Sequence, residues 1–248
     1  MIILKSSQEI ERMKNSCQIV AETLEVLRQM IRPGITTLAL DRFAESHARK
    51  FKAEPAFKGY SGYPFSLCCS VNNQVVHGFP TNKELESGDI LSIDFGVVLD
   101  GFYGDAAITV PIGTVGENAQ SLLKITEEAL YKGIEKATVE NNLSDISAAV
   151  QKHAEGSGFS VVREFVGHGI GRSLHESPQV PNFGKPGRGV KLKQGMVLAI
   201  EPMINEKGHA VKVLADGWTA VTLDGGLSAH FEHTVAITES GPVILTAL

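Results

Sequence analysis

Hydrophobic residues near the start of the chain are spaced for two helices. Between residues 10 and 31 they recur three or four positions apart, which is the stripe of an amphipathic helix. Ser6 and Glu9 supply the Ser-x-x-Glu pattern of a capping box before this stripe, and Pro33-Gly34 interrupts the pattern after it. Residues 37–51 predict a second helix.

The middle of the chain predicts a β-hairpin. Residues 90–98 and 102–110 are rich in apolar and β-branched residues, and Asp100-Gly101 between them is a strong signal for a two-residue turn. That turn would pair Asp94 with Ala107 and Asp105 with Gly96. The two aspartates are then diagonal neighbours on one face, where their carboxylates repel each other. Either both are solvated or a positive group lies between them, and the hairpin alone leaves both readings open.

The remaining hydrophobic pattern predicts two more helices and a series of strands. Residues 55–80 are rich in Gly, Pro and aromatic residues and predict a loop with a short strand at 67–71, near the site. A third helix is predicted at 118–136, and a fourth, capped by Ser144, runs to about residue 155 before Gly156 and Gly158. Further strands are predicted at 197–200, 210–214, 218–223, 231–237 and 243–245.

Two similar segments indicate an internal repeat. Residues 88–94 and 195–201 both read Gly-x-apolar-Leu-small-Ile-acid, and His47-Ala48 recurs as His153-Ala154 at a similar separation. These matches are short enough to arise by chance, yet each half runs helix, helix, strands, and no linker-like stretch separates the halves. We therefore expect an α+β fold in one domain, residues 1–248, with pseudo-repeats at roughly 1–110 and 115–248.

Composition narrows the function classes. The chain has 248 residues, 43% hydrophobic content and a formal charge of −5, with no run of Lys or Arg, which argues against an extended nucleic-acid-binding face. No apolar run is long enough for a membrane helix and no signal peptide is visible. Three cysteines without Cys-x-x-Cys spacing predict reduced thiols, and we expect a cytoplasmic protein.

Four acids and one histidine lie in or at the ends of predicted strands: Asp94, Asp105, His168, Glu201 and Glu232. Taken singly, His168 could be an ordinary turn histidine and Glu232 an exposed strand residue. Together, an oxygen-rich set with a single imidazole suits divalent metal ions and can bridge two of them. The motifs Gly-x-Ser-x-Gly, Gly-x-x-x-x-Gly-Lys-Ser/Thr, Gly-x-Gly-x-x-Gly and His-Glu-x-x-His are all missing from the sequence.

The sequence resembles the type I methionine aminopeptidases over essentially its whole length, in five stretches that occur in the family's order. The matching stretches include Phe57-Lys-Gly-Tyr-Ser-Gly-Tyr-Pro, Ile93-Asp-Phe-Gly with Gly101-Phe-Tyr-Gly-Asp, Gly167-His-Gly-Ile-Gly-Arg with His175-Glu-Ser-Pro, Ile200-Glu-Pro-Met, and Leu227-Ser-Ala-His-Phe-Glu-His-Thr. The resemblance implies the two-halved pita-bread fold, with a central antiparallel sheet flanked by helices. It also implies a dinuclear metal site that holds cobalt, manganese, iron(II) or zinc.

By position, the resemblance implies roles for individual residues. Asp105 and Glu232 correspond to carboxylates that bridge both metals, Asp94 to a ligand of one metal, and His168 with Glu201 to ligands of the other. Glu201 is expected to take the proton of a metal-bridging water that attacks as hydroxide. His77 and His175 correspond to catalytic residues that bind substrate and transition state. The positions matching the methionine pocket are Tyr60, Tyr63, Cys68 and Trp218, with Phe57, Met203 and Leu174 as further wall candidates.

The resemblance implies removal of the initiator methionine from nascent polypeptides with a small second residue, by a compact bacterial-type enzyme. We expect a monomer, and a transient contact with the ribosome stays open. The sequence departs from the commoner family pattern at Asn73-Gln74, Leu174 and His230, which leaves the pocket's fine structure open. A monovalent cation near Asn72 and Ser228 is equally open.

Two rival functions are a proline-specific peptidase of the same superfamily and an inactive relative that acts as a binding module. The first would carry an additional N-terminal domain, for which we expect no room before Asp94. The second would have lost metal ligands, and none is missing here.

Overall fold

The structure is a computed structural model that describes residues 1–248. Its helices are α1 (Ser7–Met30), α2 (Thr37–Lys50), α3 (Glu117–Ile134) and α4 (Leu143–Gly156), with one turn of 3-10 helix at Tyr60–Gly62. Its strands are β1 (Glu54–Pro55), β2 (Cys68–Val71), β3 (Gln74–Val76), β4 (Ile90–Leu99), β5 (Phe102–Pro111), β6 (Ser160–Val161), β7 (Gly167–Gly169), β8 (Glu176–Val180), β9 (Val197–Ile200), β10 (Met203–Asn205), β11 (Val211–Val213), β12 (Ala220–Thr222), β13 (Ser228–His230), β14 (Glu232–Thr238) and β15 (Gly241–Ile244).

Side-chain caps begin α1 and α4. The predicted capping box of α1 is confirmed, because Ser6 Oγ accepts from Glu9 N at 3.3 Å and Glu9 Oε2 accepts from Ser6 N at 3.0 Å. The predicted cap of α4 is wrong. Asn142 is the N-cap, with Asp145 completing its capping box, while Ser144 lies inside the helix and its hydroxyl donates to the Arg188 carbonyl at 2.6 Å. The Ser144 hydroxyl is therefore used to bind the backbone of a distant segment at Arg188 and does not cap the helix.

A nine-stranded sheet in which every pair is antiparallel forms the centre of the molecule, with the strand order β1-β4-β5-β14-β9-β7-β8, β2 added to β4 and β15 added to β14. The predicted hairpin is confirmed in its register, with Asp94 opposite Ala107 and Asp105 opposite Gly96. Its turn residues Asp100 and Gly101 have φ values of 50° and 77°, as a type I′ turn requires.

Alternation along the central strands separates the core from the site. On β4, the buried Ile93, Phe95 and Val97 belong to a hydrophobic cluster that includes residues of α1 and α2. On β9, Leu198 and Ile200 belong to a second cluster that includes residues of α3 and α4. Since successive strand residues point to opposite faces, the acids that follow Ile93 and Ile200 project away from both helix pairs.

Two three-stranded sheets, β13-β10-β6 and β11-β12-β3, complete the fold. The predicted strand at 231–237 is confirmed to within one residue at each end as β14 (Glu232–Thr238) of the central sheet, while His230 just before it belongs to β13 of a small sheet. The predicted strand at 218–223 is shorter than expected and covers only Ala220–Thr222. None of the helices combines the length and apolar character needed to cross a membrane.

Candidate active site

Five neighbouring strands of the central sheet bring the candidate metal ligands together. In sheet order, β4, β5, β14, β9 and β7 carry Asp94, Asp105, Glu232, Glu201 and His168, with Glu201 one residue beyond the end of β9. Residues far apart in the chain therefore meet because their strands are adjacent.

Strand register places these side chains in two rows on one face. In the first row Asp94 lies opposite Ala107, which lies opposite Glu232. In the second row Thr234 and His168 both lie opposite Ala199. Directly opposed residues of antiparallel strands share a face, so the alanines leave open space between the polar groups.

Asp105 belongs to the second row and is braced by Thr234. The Thr234 hydroxyl donates to the Asp105 carbonyl at 2.7 Å and accepts from the Asp105 N–H at 3.2 Å. Across the hairpin, Gly96 leaves room for the carboxylate, since a Cβ built there would lie 3.1 Å from Asp105 Oδ1 and 2.9 Å from Phe57 Cε1. The site therefore requires glycine at this position for a steric reason.

The potential ligand atoms converge closely. One oxygen or ring nitrogen from each of Asp105, His168 and Glu232 lie within 4.8 Å of one another. A second group with the same spacing consists of Glu201, His230 and Glu232. Glu201 lies between two imidazoles, with Oε1 3.5 Å from His168 Nε2 and Oε2 3.5 Å from His230 Nε2.

Burial strongly disfavours negative charge at this site. Burial raises the pKa of Asp94 to about 7 and that of Glu201 to about 8. Burial and, secondarily, the neighbouring carboxylates raise the pKa values of Asp105 and Glu232 well above their usual range. Burial also lowers the pKa of His168 to about 4, which leaves the ring neutral at pH 7.

The donor set fits divalent metal ions. Asp94 Oδ1, Asp105 Oδ1 and Glu232 Oε1 are buried without any hydrogen-bond partner. Unpartnered buried carboxylate oxygens are costly, and cations between them would both ligate the oxygens and cancel their repulsion. Oxygen ligands with a neutral imidazole are typical of hard or borderline divalent ions.

His168 is oriented for ligation by its backbone. Its Nδ1 lies 2.9 Å from the Gly169 carbonyl oxygen, which can only accept a hydrogen bond. Nδ1 is therefore the protonated nitrogen, and the lone pair of Nε2 points toward Glu201 and the other ligands. This carbonyl contact selects the tautomer that a metal ligand needs.

A cavity of about 270 Å³ opens beside these groups. It is lined by every residue predicted for the metal site, the catalytic histidines and the pocket: Phe57, Tyr60, Tyr63, Cys68, His77, Asp94, Asp105, His168, Leu174, His175, Glu201, Met203, Trp218 and Glu232. Tyr63 packs edge-on against Trp218 at 5.1 Å and its hydroxyl donates to the Gly78 carbonyl at 3.0 Å, so an apolar ring face is left for the cavity.

The two further histidines approach the cavity from different sides. His77 has a φ of 59°, a left-handed conformation that is uncommon for residues other than glycine, and its ring packs edge-on against Phe165 and Trp218. His175 forms a 2.7 Å hydrogen bond from Nδ1 to the Tyr60 hydroxyl and packs against His168, with ring centroids 4.4 Å apart. Burial lowers the pKa values of both histidines, that of His77 to about 4.

Some site residues were not predicted from the sequence. Phe165 and three other residues also line the cavity, namely Val76, Glu164 and Val166. His230 was noted in the sequence only as a departure from the commoner family pattern, without a role at the site. Phe165 gives no such signal, because it lies in an irregular segment with no strand periodicity.

Of the unusual positions, Asn73 and Gln74 lie apart from the cavity lining, whereas Leu174 belongs to it. Ser228 N–H donates to the Asn72 carbonyl at 2.9 Å, and the Ser228 hydroxyl donates to Asn205 Oδ1 at 2.9 Å. Gln74 Oε1 accepts from Val71 N–H at 2.8 Å. These contacts join β3 and β13 to their neighbours, and a monovalent cation at Asn72 and Ser228 stays a prediction.

Comparison with known proteins agrees with this geometry. The model of metallopeptidase family M24 matches residues 11–239. A methionine aminopeptidase of Clostridium perfringens (strain 13 / Type A) is 59% identical over 248 residues, which is 100% of both chains. The crystal structure of methionine aminopeptidase from Thermotoga maritima has a TM-score of 0.98 at 47% identity and covers 100% of both chains. Prolidase from Pyrococcus furiosus, with a TM-score of 0.81 at 23% identity over 99% of this chain and 66% of that one, shares the fold alone.

Proposed function

The chain belongs to metallopeptidase family M24, and it is 59% identical over its whole length to a methionine aminopeptidase. We propose that it hydrolyses the peptide bond after an N-terminal methionine. Its α+β architecture is the pita-bread fold of these relatives. The observation that carries the proposal is the convergence of four carboxylates and His168 at one wall of an apolar, aromatic cavity.

Divalent ions fit the site as a pair. Asp105 and Glu232 would bridge the two ions, Asp94 would complete the ligands of one, and His168 with Glu201 would complete those of the other. When bound, such ions would polarise the scissile carbonyl and lower the pKa of a coordinated water. Cobalt, manganese, iron(II) and zinc all suit this ligand set, and availability in the cell decides among them.

Glu201 is the residue that moves the proton. Its carboxylate lies at the junction of the metal ligands and the cavity, 3.5 Å from His168 Nε2. From this position it accepts the proton of the attacking water and passes it to the amine that leaves.

His77 and His175 position the substrate. Both line the cavity beside the candidate metal ligands, and both are neutral at pH 7 because burial lowers their pKa values. A neutral imidazole can donate one hydrogen bond and accept another, so each ring can bind a backbone group of the substrate next to the scissile bond. The Tyr60 hydroxyl fixes the orientation of the His175 ring.

The cavity wall suits a methionine side chain. Tyr63, Cys68, Trp218 and the further wall residues Phe57, Leu174 and Met203 present aromatic rings, sulfur and aliphatic carbon. A flexible thioether makes favourable contacts with such groups, and the limited volume excludes longer side chains. Size and shape rather than charge therefore select methionine.

In the proposed function the substrates are the N-termini of nascent polypeptides, and the compartment is the cytoplasm. The whole chain acts as one catalytic domain, as a monomer, with at most a transient contact with the ribosome. No nucleic-acid or membrane partner is required, in keeping with the formal charge of −5 and the lack of basic runs.

The test is a peptide-cleavage panel with the metal-loaded protein. We expect release of methionine from Met-Ala-Ser but not from Met-Leu-Ser, with at least one of cobalt, manganese or iron(II). An Ala-Pro-Ser peptide serves as the control for the rival proline-specific activity. Cleavage of the Ala-Pro bond in the control peptide, or no release of methionine with any of these metals, would overturn the proposed function.

A further inference from the structure

His230 is a buried imidazole held rigidly beside the candidate metal ligands. Its backbone is fixed from both sides by Thr109, whose Oγ1 accepts from His230 N–H at 2.9 Å and donates to the His230 carbonyl at 2.7 Å. It also pairs with Met203 in a small sheet, and the residue is only 2% exposed. Its position therefore does not depend on a flexible loop.

The ring nitrogen that faces the metal site has no partner in the protein. His230 Nε2 is buried and makes no hydrogen bond, although Glu201 Oε2 lies 3.5 Å away. A buried nitrogen without a partner is unfavourable in either tautomer, because a buried N–H would lack an acceptor and a buried lone pair would lack a donor. Three carboxylate oxygens of the site are likewise buried without a hydrogen-bond partner, namely Asp94 Oδ1, Asp105 Oδ1 and Glu232 Oε1.

The distances from His230 Nε2 to its neighbours are those found between ligands of one metal ion. Ligands about 2.1 Å from a common ion lie roughly 3.0–3.5 Å from one another. His230 Nε2 and Glu201 Oε2 are 3.5 Å apart, and potential ligand atoms of Glu201, His230 and Glu232 lie within 4.8 Å of one another. His168 Nε2 has the same 3.5 Å separation from the other oxygen of Glu201.

We propose that His230 is a sixth protein ligand of the metal centre, binding through Nε2 on the side where Glu201 and Glu232 converge. The site then has two imidazoles, one on each side of the Glu201 carboxylate, instead of the single imidazole expected from the sequence. This inference rests on the proposed metal centre. It adds a borderline nitrogen donor, which favours iron(II), cobalt and zinc over magnesium or calcium.

The direct test is long-range ¹H–¹⁵N NMR of the histidine rings in the full chain, labelled with ¹⁵N-histidine and titrated with Zn²⁺, which is diamagnetic. Signals are assigned with His168→Gln, His230→Gln and His233→Gln variants. We expect the Nε2 resonances of both His168 and His230 to change to ligated values at saturating zinc. His233 is the matched control, because it lies only three residues away in the chain but its Nδ1 contacts the Thr246 hydroxyl at 2.8 Å.

The outcomes separate this inference from the proposed function. If His168 responds to zinc and His230 does not, the sixth ligand is ruled out while the metal centre stands. If neither ring responds, the metal centre itself is wrong and the inference is lost with it. The zinc response is read in the wild-type spectrum, and the variants serve only to assign its signals.

Calorimetric metal titration gives an independent readout. His230→Gln should weaken Mn²⁺ or Co²⁺ binding at least tenfold, since changes even to residues behind the ligands cost about 10–100-fold. His233→Gln should leave the affinity within about twofold of wild type. Equal affinity of His230→Gln and wild type would overturn the inference.

Discussion

Substitution of Gly96 by alanine tests whether the Asp105 carboxylate needs the space that Gly96 leaves beside it. Gly96 lies opposite Asp105 in the hairpin, and an added Cβ would lie 2.9 Å from Phe57 Cε1, 3.1 Å from Asp105 Oδ1 and 3.2 Å from Ala56 Cβ. These contacts are all closer than ordinary van der Waals contact, and they come from three different side chains. The substitution must therefore displace the Asp105 carboxylate, the Phe57 ring or both.

The expected cost has two parts. Adding a methyl group to a well-packed region costs about 1–3 kcal/mol. For a chain of this size that lowers Tm by roughly 2–12 °C. Movement of Asp105 also disturbs a carboxylate that is proposed to bridge both ions, so we expect Mn²⁺ affinity to fall at least tenfold, which corresponds to about 1.4 kcal/mol.

The assay compares thermal unfolding without metal and calorimetric Mn²⁺ titration for Gly96→Ala and a matched control. Gly156→Ala is that control, because it adds the same methyl group at the last residue of α4, where nothing lies within 4 Å of the built Cβ. The control should change stability by no more than about 0.5 kcal/mol. Wild-type Tm and metal affinity in Gly96→Ala would refute the proposed packing around Asp105.

Two further predictions concern the ligands themselves. His168→Ala should abolish turnover of Met-Ala-Ser while circular dichroism remains that of the wild type, and a near-wild-type rate would remove His168 from the metal ligands. The Tm of the metal-free chain should fall as pH rises from about 7 to 8. In this range unfolded histidines, whose ordinary pKa is about 6.5, are mostly neutral, like the buried ones. Asp94 and Glu201, with pKa values raised to about 7 and about 8, bind protons more tightly when folded, and this stabilisation is lost as the pH rises through those values. Saturating Mn²⁺ should abolish that decline, and a metal-free Tm that rises over the same range would contradict the burial of these carboxyls.

The hairpin was predictable in detail because a two-residue turn determines every pair that follows it. Asp100-Gly101 fixed the pairing of Asp94 and Asp105 with their opposite residues, and the structure has that register. The strands bearing His168 and His230 were not predictable, because each has only three residues and pairs with strands remote in the chain. Such short strands show no hydrophobic period, and long-range pairing alone defines them.

The two rows of side chains on one face of the central sheet were also not predictable from the sequence. The sequence identified Glu201 and Glu232 as candidate ligands, but not that Ala107 and Ala199 lie between the polar side chains and leave room for ions. The second imidazole beside Glu201 was also missed, because His230 lies in a different sheet from Glu232 although only Phe231 separates them. Local alternation cannot show that a chain changes sheets at this point.

The measurement that most directly tests the metal centre is anomalous diffraction from crystals of the wild-type chain soaked in Mn²⁺. We expect two anomalous peaks at the cavity wall, each about 2.0–2.3 Å from carboxylate oxygens, with Asp105 and Glu232 contacting both and His168 Nε2 contacting one. A saturated crystal that shows manganese only at surface carboxylates, with none between these residues, would contradict the account.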